Sequence, residues 1–224
     1  MKTFEPFADR VLPWLTCGAM LAALAMVFLY VPTERVQGVV QRVFYFHLPA
    51  AWMSFLGFFT VAGASAAFLW QGGRAADLLA QAAAEVGMVF CTVVILTGSL
   101  WARPIWGVWW TWDPRLTMVA ILWTIYAAYL LLRTLGGDNE LLARYAAVLG
   151  IVGVLDIPLL YVAVQLWRGI HPKVEQMAPE MAWTLLVCTV AFLCLFTWLL
   201  WLRLRHLSLR ADVAALRQQA VALS

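Results

Sequence analysis

The sequence predicts an all-α membrane protein with six transmembrane helices. Of its 224 residues, 64% are hydrophobic and 12% are charged, whereas soluble domains are about 45–50% apolar and about 25% charged. The chain contains six long apolar segments, and a helical span needs about 20 residues. They cover approximately residues 13–31, 48–70, 86–100, 116–132, 145–166 and 183–202. Little sequence is left between them, so we expect residues 1–224 to form a single six-span domain.

The sequences between the segments are typical of short turns and of one polar tail. Gln71-Gly72-Gly73-Arg74 follows the second segment, and the Gly136-Gly137 pair follows the fourth; paired glycines favour turns. No small-residue cleavage site follows the first segment, so it is expected to remain as a helix. Residues 203–224 are polar and are predicted to form a cytoplasmic tail that continues as an amphipathic helix.

The distribution of basic residues predicts cytoplasmic termini. With six spans, both termini lie on one side of the membrane. That side then carries nine basic residues, namely Lys2, Arg10, Arg74, Arg133, Arg144, Arg203, Arg205, Arg210 and Arg217. The other side carries six, namely Arg35, Arg42, Arg103, Arg115, Arg168 and Lys173. This weak excess has the sign that the positive-inside rule requires.

Cysteine usage and charge exclude several classes of function. All four cysteines lie within apolar segments and none forms Cys-x-x-Cys, which argues against a thiol redox pair, a zinc knuckle or covalent haem attachment. The net charge is only +3, and the scattered basic residues form no stripe of the kind that binds nucleic acid.

The most unusual stretch is WGVWWTWDPRLT, which begins at Trp106 and has four tryptophans in its first seven residues. Trp106, Trp109, Trp110 and Asp113 recur at helical spacing, and Pro114 disfavours helical geometry at the residue before it. The spacing therefore predicts a short interfacial helix with an indole platform on one face. Trp112 lies off that face.

Topology brings two of the three histidines to the same side of the membrane as this stretch. His47 lies in the first connection, the tryptophans in the third and His171 in the fifth, whereas His206 lies on the opposite side. Imidazoles, indoles and arginines suit a planar, apolar, dianionic ligand with a central metal, because haem iron accepts axial imidazole, indoles stack on porphyrin and arginines pair with carboxylates. We therefore predict non-covalent, b-type haem binding, with His47 and His171 as the axial ligands. The full predicted binding set is His47, His171, Trp106, Trp109, Trp110, Trp112, Asp113, Arg42, Arg103 and Arg115.

Simpler interpretations remain for several of these residues. Tryptophans concentrate in the aromatic belts of ordinary membrane proteins, which accounts for Trp14, Trp52, Trp70, Trp167, Trp183, Trp198 and Trp201. Asp156 lies near the middle of the fifth segment, where a carboxyl group is costly and suggests function. It is equally consistent with a protonated carboxyl, or one bonded to backbone groups freed near Pro158.

Three functions fit the chain at this point. The first is haem binding and delivery without catalysis. The second is electron transfer by a membrane cytochrome b that oxidises quinol, although such proteins bury their histidines near mid-bilayer. The third is transport of a small solute, which Asp156 and Pro158 favour slightly, although matching interrupted helices are absent.

Several motifs resemble one family. WGVWWTWDPRLT is similar to the tryptophan-rich WWD signature of membrane haem-handling proteins in cytochrome c biogenesis. FHLPAAWM around His47 and LTGSLWARPIWG before the tryptophans resemble cytochrome c maturation protein C, also called haem exporter protein C. The resemblance covers nearly the whole chain. The second histidine motif differs, because the family has a Leu-His-Gln-type sequence where this chain has Ile-His-Pro at His171.

The resemblance implies a function and a set of partners. Haem would lie at the outer face of the bacterial inner membrane, between the tryptophan segment and two axial histidines. It would pass to a membrane-anchored haem chaperone. The remaining implied partners are the ATP-binding and permease-like subunits of an ABC-type complex and a small single-span protein. The sequence has no G-x-x-x-x-G-K-[S/T] loop, so any ATP hydrolysis is expected in a partner.

Overall fold

The computed structural model describes residues 5–137, 139–166 and 177–223, and these form helices joined by short connections. Seven α-helices are present in this part of the chain: α1 (Glu5–Ala25), α2 (Phe44–Gln71), α3 (Arg74–Trp106), α4 (Pro114–Gly136), α5 (Glu140–Val154), α6 (Asp156–Leu166) and α7 (Pro179–Leu223). A π-helical turn, Met26–Tyr30, extends α1, and a 3-10 turn, Val39–Val43, precedes α2. Six segments are long and apolar enough to span a membrane, with α5 and α6 together making the fifth. The predicted fold class is confirmed.

Several predicted segments were shorter than the helices that contain them. The third segment, 86–100, is the apolar part of α3, which has 33 residues. The sixth segment and the polar tail form one helix of 45 residues, α7. The predicted helical continuation of the tail is therefore confirmed. Hydropathy detects only the apolar part of each helix, because the polar ends lie outside the lipid and carry no apolar signal.

α2 and α3 form the centre of the bundle and contact each other most extensively. Their backbones meet at Gly57 and Gly87, where a Cβ built on Gly57 would lie 2.8 Å from the Gly87 Cα. Small residues allow such approach, and close packing drives helix association in membranes. Each of the three buried clusters among the described residues includes side chains from α2, joined in different combinations by the other helices.

The fifth span is interrupted at Leu155, between α5 and α6. Pro158 lacks an N–H and cannot complete the α-helical bond to Val154. Asp156, at the start of α6, is 7% exposed, and its Oδ2 atom has no hydrogen-bond partner among the described residues. The break near Pro158 agrees with the helix-breaking character of proline. The bond between the Asp156 carboxyl group and freed backbone groups, which the sequence left open, is not present at Oδ2.

Ion pairs tie the helices together at one end of the bundle. Arg133 of α4 pairs with Asp77 of α3 at 2.7 Å. Arg203 and Arg205 of α7 pair with Glu85 of α3 and Asp9 of α1, respectively. Partners drawn from four helices hold this end together. The candidate site lies at the other end.

Candidate functional site

A cavity of about 320 Å³ opens between α2, α3, α4, α6 and the connection that carries the tryptophans. Its volume is within the range of about 300–1,000 Å³ that is usual for small-molecule sites. Most of its lining is apolar or aromatic. The predicted site residues that line it are His47, Trp106, Trp109, Trp110 and Arg115.

The tryptophan segment is a loop, so the predicted interfacial helix is wrong. α3 ends at Trp106, and Gly107 adopts a left-handed conformation with φ of 75°, which a glycine takes without steric cost. Residues 107–113 are not helical. Asp113 then caps α4, since its Oδ1 atom accepts a hydrogen bond from the Leu116 N–H at 3.0 Å. The helical spacing of the tryptophans did not predict this, because α3 ends and α4 begins with only seven residues between them.

The loop divides its indoles between the cavity and the exterior. Trp109 and Trp110 line the cavity, together with Trp106 from the last turn of α3. Trp112 is 79% exposed and does not line it, although its ring lies edge-on to Trp110 with centroids 5.8 Å apart. The indole N–H of Trp110 is buried without a hydrogen-bond partner in the described structure. A buried donor without a partner calls for an explanation, and a ligand that accepts from it would supply one.

His47 lies in the first turn of α2 and is held by α3. Its Nδ1 atom lies 3.0 Å from the hydroxyl oxygen of Thr97. The Trp101 ring lies edge-on to the imidazole with centroids 5.9 Å apart, and its N–H donates to the Gln37 side chain at 2.9 Å. A Cβ on Gly98 would lie 3.2 Å from the His47 Cε1 atom, so the absence of a side chain there makes room for the ring.

The three candidate arginines occupy different surroundings. Arg115 lines the cavity, and its Nε atom is buried without a hydrogen-bond partner among the described residues. Arg103 instead donates to the Gly107 carbonyl and lies over the Trp109 ring at 5.9 Å from its centroid. Arg42 lies over Phe28 at 5.8 Å and does not line the cavity. Of the three, Arg115 alone is placed to contact a ligand in the cavity.

Of the remaining candidates, Asp113 does not line the cavity. Asp113 caps α4 and also accepts a hydrogen bond from the Thr111 hydroxyl at 3.2 Å. His171 lies outside the described residues, so its role as second ligand stays a prediction. His206 lies on the tail helix, where its Nδ1 atom is 3.2 Å from Arg203, at the end of the bundle that the ion pairs hold.

Sequence reasoning missed several residues at the cavity, chiefly Trp52, Trp101 and Tyr161. The helical period could not have found the first two. Trp52 lies five residues after His47 on α2, and Trp101 lies five residues before Trp106 on α3, whereas neighbours on one face of a helix are three or four residues apart. Tyr161 on α6 had no local signal, because its neighbours are uniformly apolar.

Two tryptophans assigned to an ordinary aromatic belt also have contacts within the protein. Trp52 lines the cavity. The Trp201 N–H donates to the Asp9 carboxylate at 2.9 Å. Trp14 and Trp70, which are 79% and 90% exposed, do agree with a lipid-facing or interfacial position.

Comparison with known proteins identifies the family. The family model described as Heme exporter protein C matches residues 1–219. The chain belongs to the heme exporter protein C family. Its similarity to curated members extends over most of each chain. It is 35% identical to Heme exporter protein C of Bradyrhizobium diazoefficiens, over 96% of this chain and 85% of that protein. It is 32% identical to the Haemophilus influenzae protein of the same name, over 94% of both chains. It is 33% identical to the one from Escherichia coli K12, over 88% of this chain and 84% of that protein. The heme exporter protein C resemblance inferred from the sequence motifs is thereby confirmed.

Proposed function

We propose that this protein binds haem at the outer face of the bacterial inner membrane and delivers it for cytochrome c maturation. The observation that carries the proposal is the composition of the cavity. It joins an imidazole, five indoles and an arginine whose Nε lacks a partner among the described residues, all at the end of the bundle opposite the ion pairs. The names of the relatives, Heme exporter protein C, agree with haem as the cargo.

His47 is the proposed axial ligand from this part of the chain. The iron needs a neutral imidazole nitrogen with a free lone pair. Nδ1 lies against the Thr97 hydroxyl, which leaves Nε2 as the nitrogen that we propose for the iron. His47 therefore offers Nε2 to iron in the cavity. His171 is the proposed ligand on the opposite face of the porphyrin, from topology and family resemblance.

The porphyrin itself is held by stacking and by charge. Trp109 and Trp110 present indole surface to the cavity, and aromatic contacts contribute about 0.5–1.5 kcal/mol each beyond burial. Arg115 supplies a cation for a propionate carboxylate, because a guanidinium pairs with carboxylate in a fixed geometry. Arg42 and Arg103 are weaker candidates for that role, since neither lines the cavity.

The proposed activity is capture and orientation of haem without catalysis of its own. The open side of the cavity leaves part of the ligand accessible, which suits transfer to a membrane-anchored haem chaperone. The proposed assembly also contains ATP-binding and permease-like subunits of an ABC-type complex and a small single-span protein. Family resemblance supports these partners.

A quinol-oxidising cytochrome b is less well supported, because His47 lies in the first turn of its helix, near the bundle end. A solute transporter is less well supported because the cavity is mainly apolar. The polar group that suggested transport, Asp156, is not among the residues lining it.

The visible spectrum of the purified protein tests the haem proposal. We expect low-spin haem in the wild-type protein, because two nitrogen ligands produce a strong field. His47→Gly should lose the low-spin spectrum and regain it when imidazole is added, whereas His206→Gly should leave it unchanged. A wild-type protein that neither copurifies with haem nor binds added haem would refute the proposal.

The proposed orientation has its own test. Val36 lies before α2 and Gln71 ends it, and both are exposed. Single cysteines at these positions should react differently with an impermeant thiol reagent in intact cells, where position 36 is labelled from outside. Labelling of position 71 alone would show that the orientation is the opposite of the one proposed.

A further inference from the structure

The contacts around Thr97 determine which nitrogen of His47 carries a proton. The Thr97 hydroxyl oxygen lies 2.6 Å from the Val93 carbonyl oxygen and 3.3 Å from that of Val94. Carbonyl oxygens only accept hydrogen bonds, so the single hydroxyl proton is directed to Val93. Toward His47 Nδ1, at 3.0 Å, the hydroxyl oxygen can then act only as an acceptor. Nδ1 must therefore carry the N–H.

We propose that Thr97 is a positioning residue that holds His47 as the Nδ1–H tautomer and fixes the direction of its Nε2 lone pair. The tautomer itself follows from the hydrogen bonds and does not depend on the ligand. Its consequence for haem rests on the proposed function. The chain from the Val93 carbonyl through Thr97 to the imidazole resembles the hydrogen bonds that orient metal-binding histidines in other proteins, where the partner also raises ligand basicity.

The neighbouring residues of α3 restrict the ring from other sides. Gly98 lies against the His47 Cε1 atom, and Trp101 covers the ring edge-on. Trp101 is itself held through Gln37. Packing thus limits where the imidazole lies, but neither Gly98 nor Trp101 bonds to Nδ1. Selection of the tautomer depends mainly on the acceptor that Thr97 provides.

Replacing Thr97 by valine keeps the shape and removes the acceptor. The Val94 carbonyl also interacts with the imidazole and remains as a weaker acceptor. Loss of a hydrogen-bond partner of a metal-binding histidine costs about 10–100-fold in affinity, and we expect the lower end, about tenfold. Thr97→Ser keeps the hydroxyl and should retain most of the affinity.

Nitrogen NMR of haem-free protein labelled with 15N-histidine measures the tautomer directly. The chain has only three histidines, and the His47 signals are those that disappear in His47→Gly. In the wild type we expect a protonated Nδ1 and an unprotonated Nε2. Thr97→Val should move the population toward the Nε2–H tautomer, and Thr97→Ser should not. Thr189→Val is the matched control, because Thr189 makes the same type of bond to the Leu185 carbonyl, on α7.

A wild-type His47 protonated on Nε2 overturns the proposal, whether or not any variant folds. So does an unchanged tautomer in folded Thr97→Val. Haem titration then separates this inference from the proposed function. If the tautomer is as expected but no form binds haem, only the haem function fails. If wild type binds haem and Thr97→Val binds it equally well with the same spectrum, the positioning role of Thr97 fails.

Discussion

The two loop indoles that line the cavity provide the sharpest test of the site. Trp109→Ala combined with Trp110→Ala removes aromatic surface from one wall while leaving His47 and Arg115 in place. If the wall stacks on porphyrin, the double variant should retain the fold and bind haem more weakly. If the indoles only anchor the loop in the membrane interface, haem affinity should not change.

The magnitude follows from the stacking free energy of two indole rings. Two aromatic interactions at about 0.5–1.5 kcal/mol each give about 1–3 kcal/mol, which is roughly a five- to 150-fold decrease in affinity. Trp109 is 57% exposed, whereas Trp110 is partly buried with its N–H enclosed. Trp110→Ala alone should therefore account for the larger part of the decrease in haem affinity.

Absorbance titration of the haem-free protein with haem measures the affinity, and thermal unfolding in the same detergent checks the fold. The control is Trp14→Ala combined with Trp70→Ala, which removes two highly exposed indoles that do not line the cavity. A pair including Trp201 would be a poor control, because that indole bonds to Asp9. Equal haem affinities in the two double variants would show that the loop tryptophans are only part of an ordinary aromatic belt.

Two further predictions concern charge and packing. Arg115→Gln should weaken haem binding by roughly tenfold or more, since a hydrogen bond to a charged group contributes about 1.5–3 kcal/mol. Haem dimethyl ester, which lacks propionate charge, should bind the wild type and Arg115→Gln alike. Arg103→Gln should lose less affinity for haem itself. A similar loss of ester binding in Arg115→Gln would show that the residue acts on the fold. Gly57→Ala should destabilise the protein by about 1–3 kcal/mol in reversible unfolding, because its Cβ would lie 2.8 Å from the Gly87 Cα, whereas Gly63→Ala meets nothing within 4 Å. Equal stability of these two variants would contradict the close approach of α2 and α3.

The six spans could be predicted from the sequence because a membrane helix is determined by the residues of its own segment. Each span satisfies its backbone hydrogen bonds within itself and needs only enough apolar length. The parity of the connections then placed His47 and the tryptophans at one end without any knowledge of packing, and their meeting at the cavity bears this out. The break in the fifth span also has a local cause, since Pro158 removes a donor from the helix, although the sequence predicted that span as one continuous segment.

The details of the site depended on how the helices are rotated against one another. The spacing of the tryptophans was equally compatible with a helix, and only the structure shows a loop between Gly107 and the Asp113 cap. Three arginines were equivalent in sequence, yet only Arg115 faces the cavity. The contact of Thr97 with His47 joins residues 50 positions apart. Such contacts are set by the packing of α2 on α3, which depends on side chains along both helices, and the sequence around either residue carries no record of it.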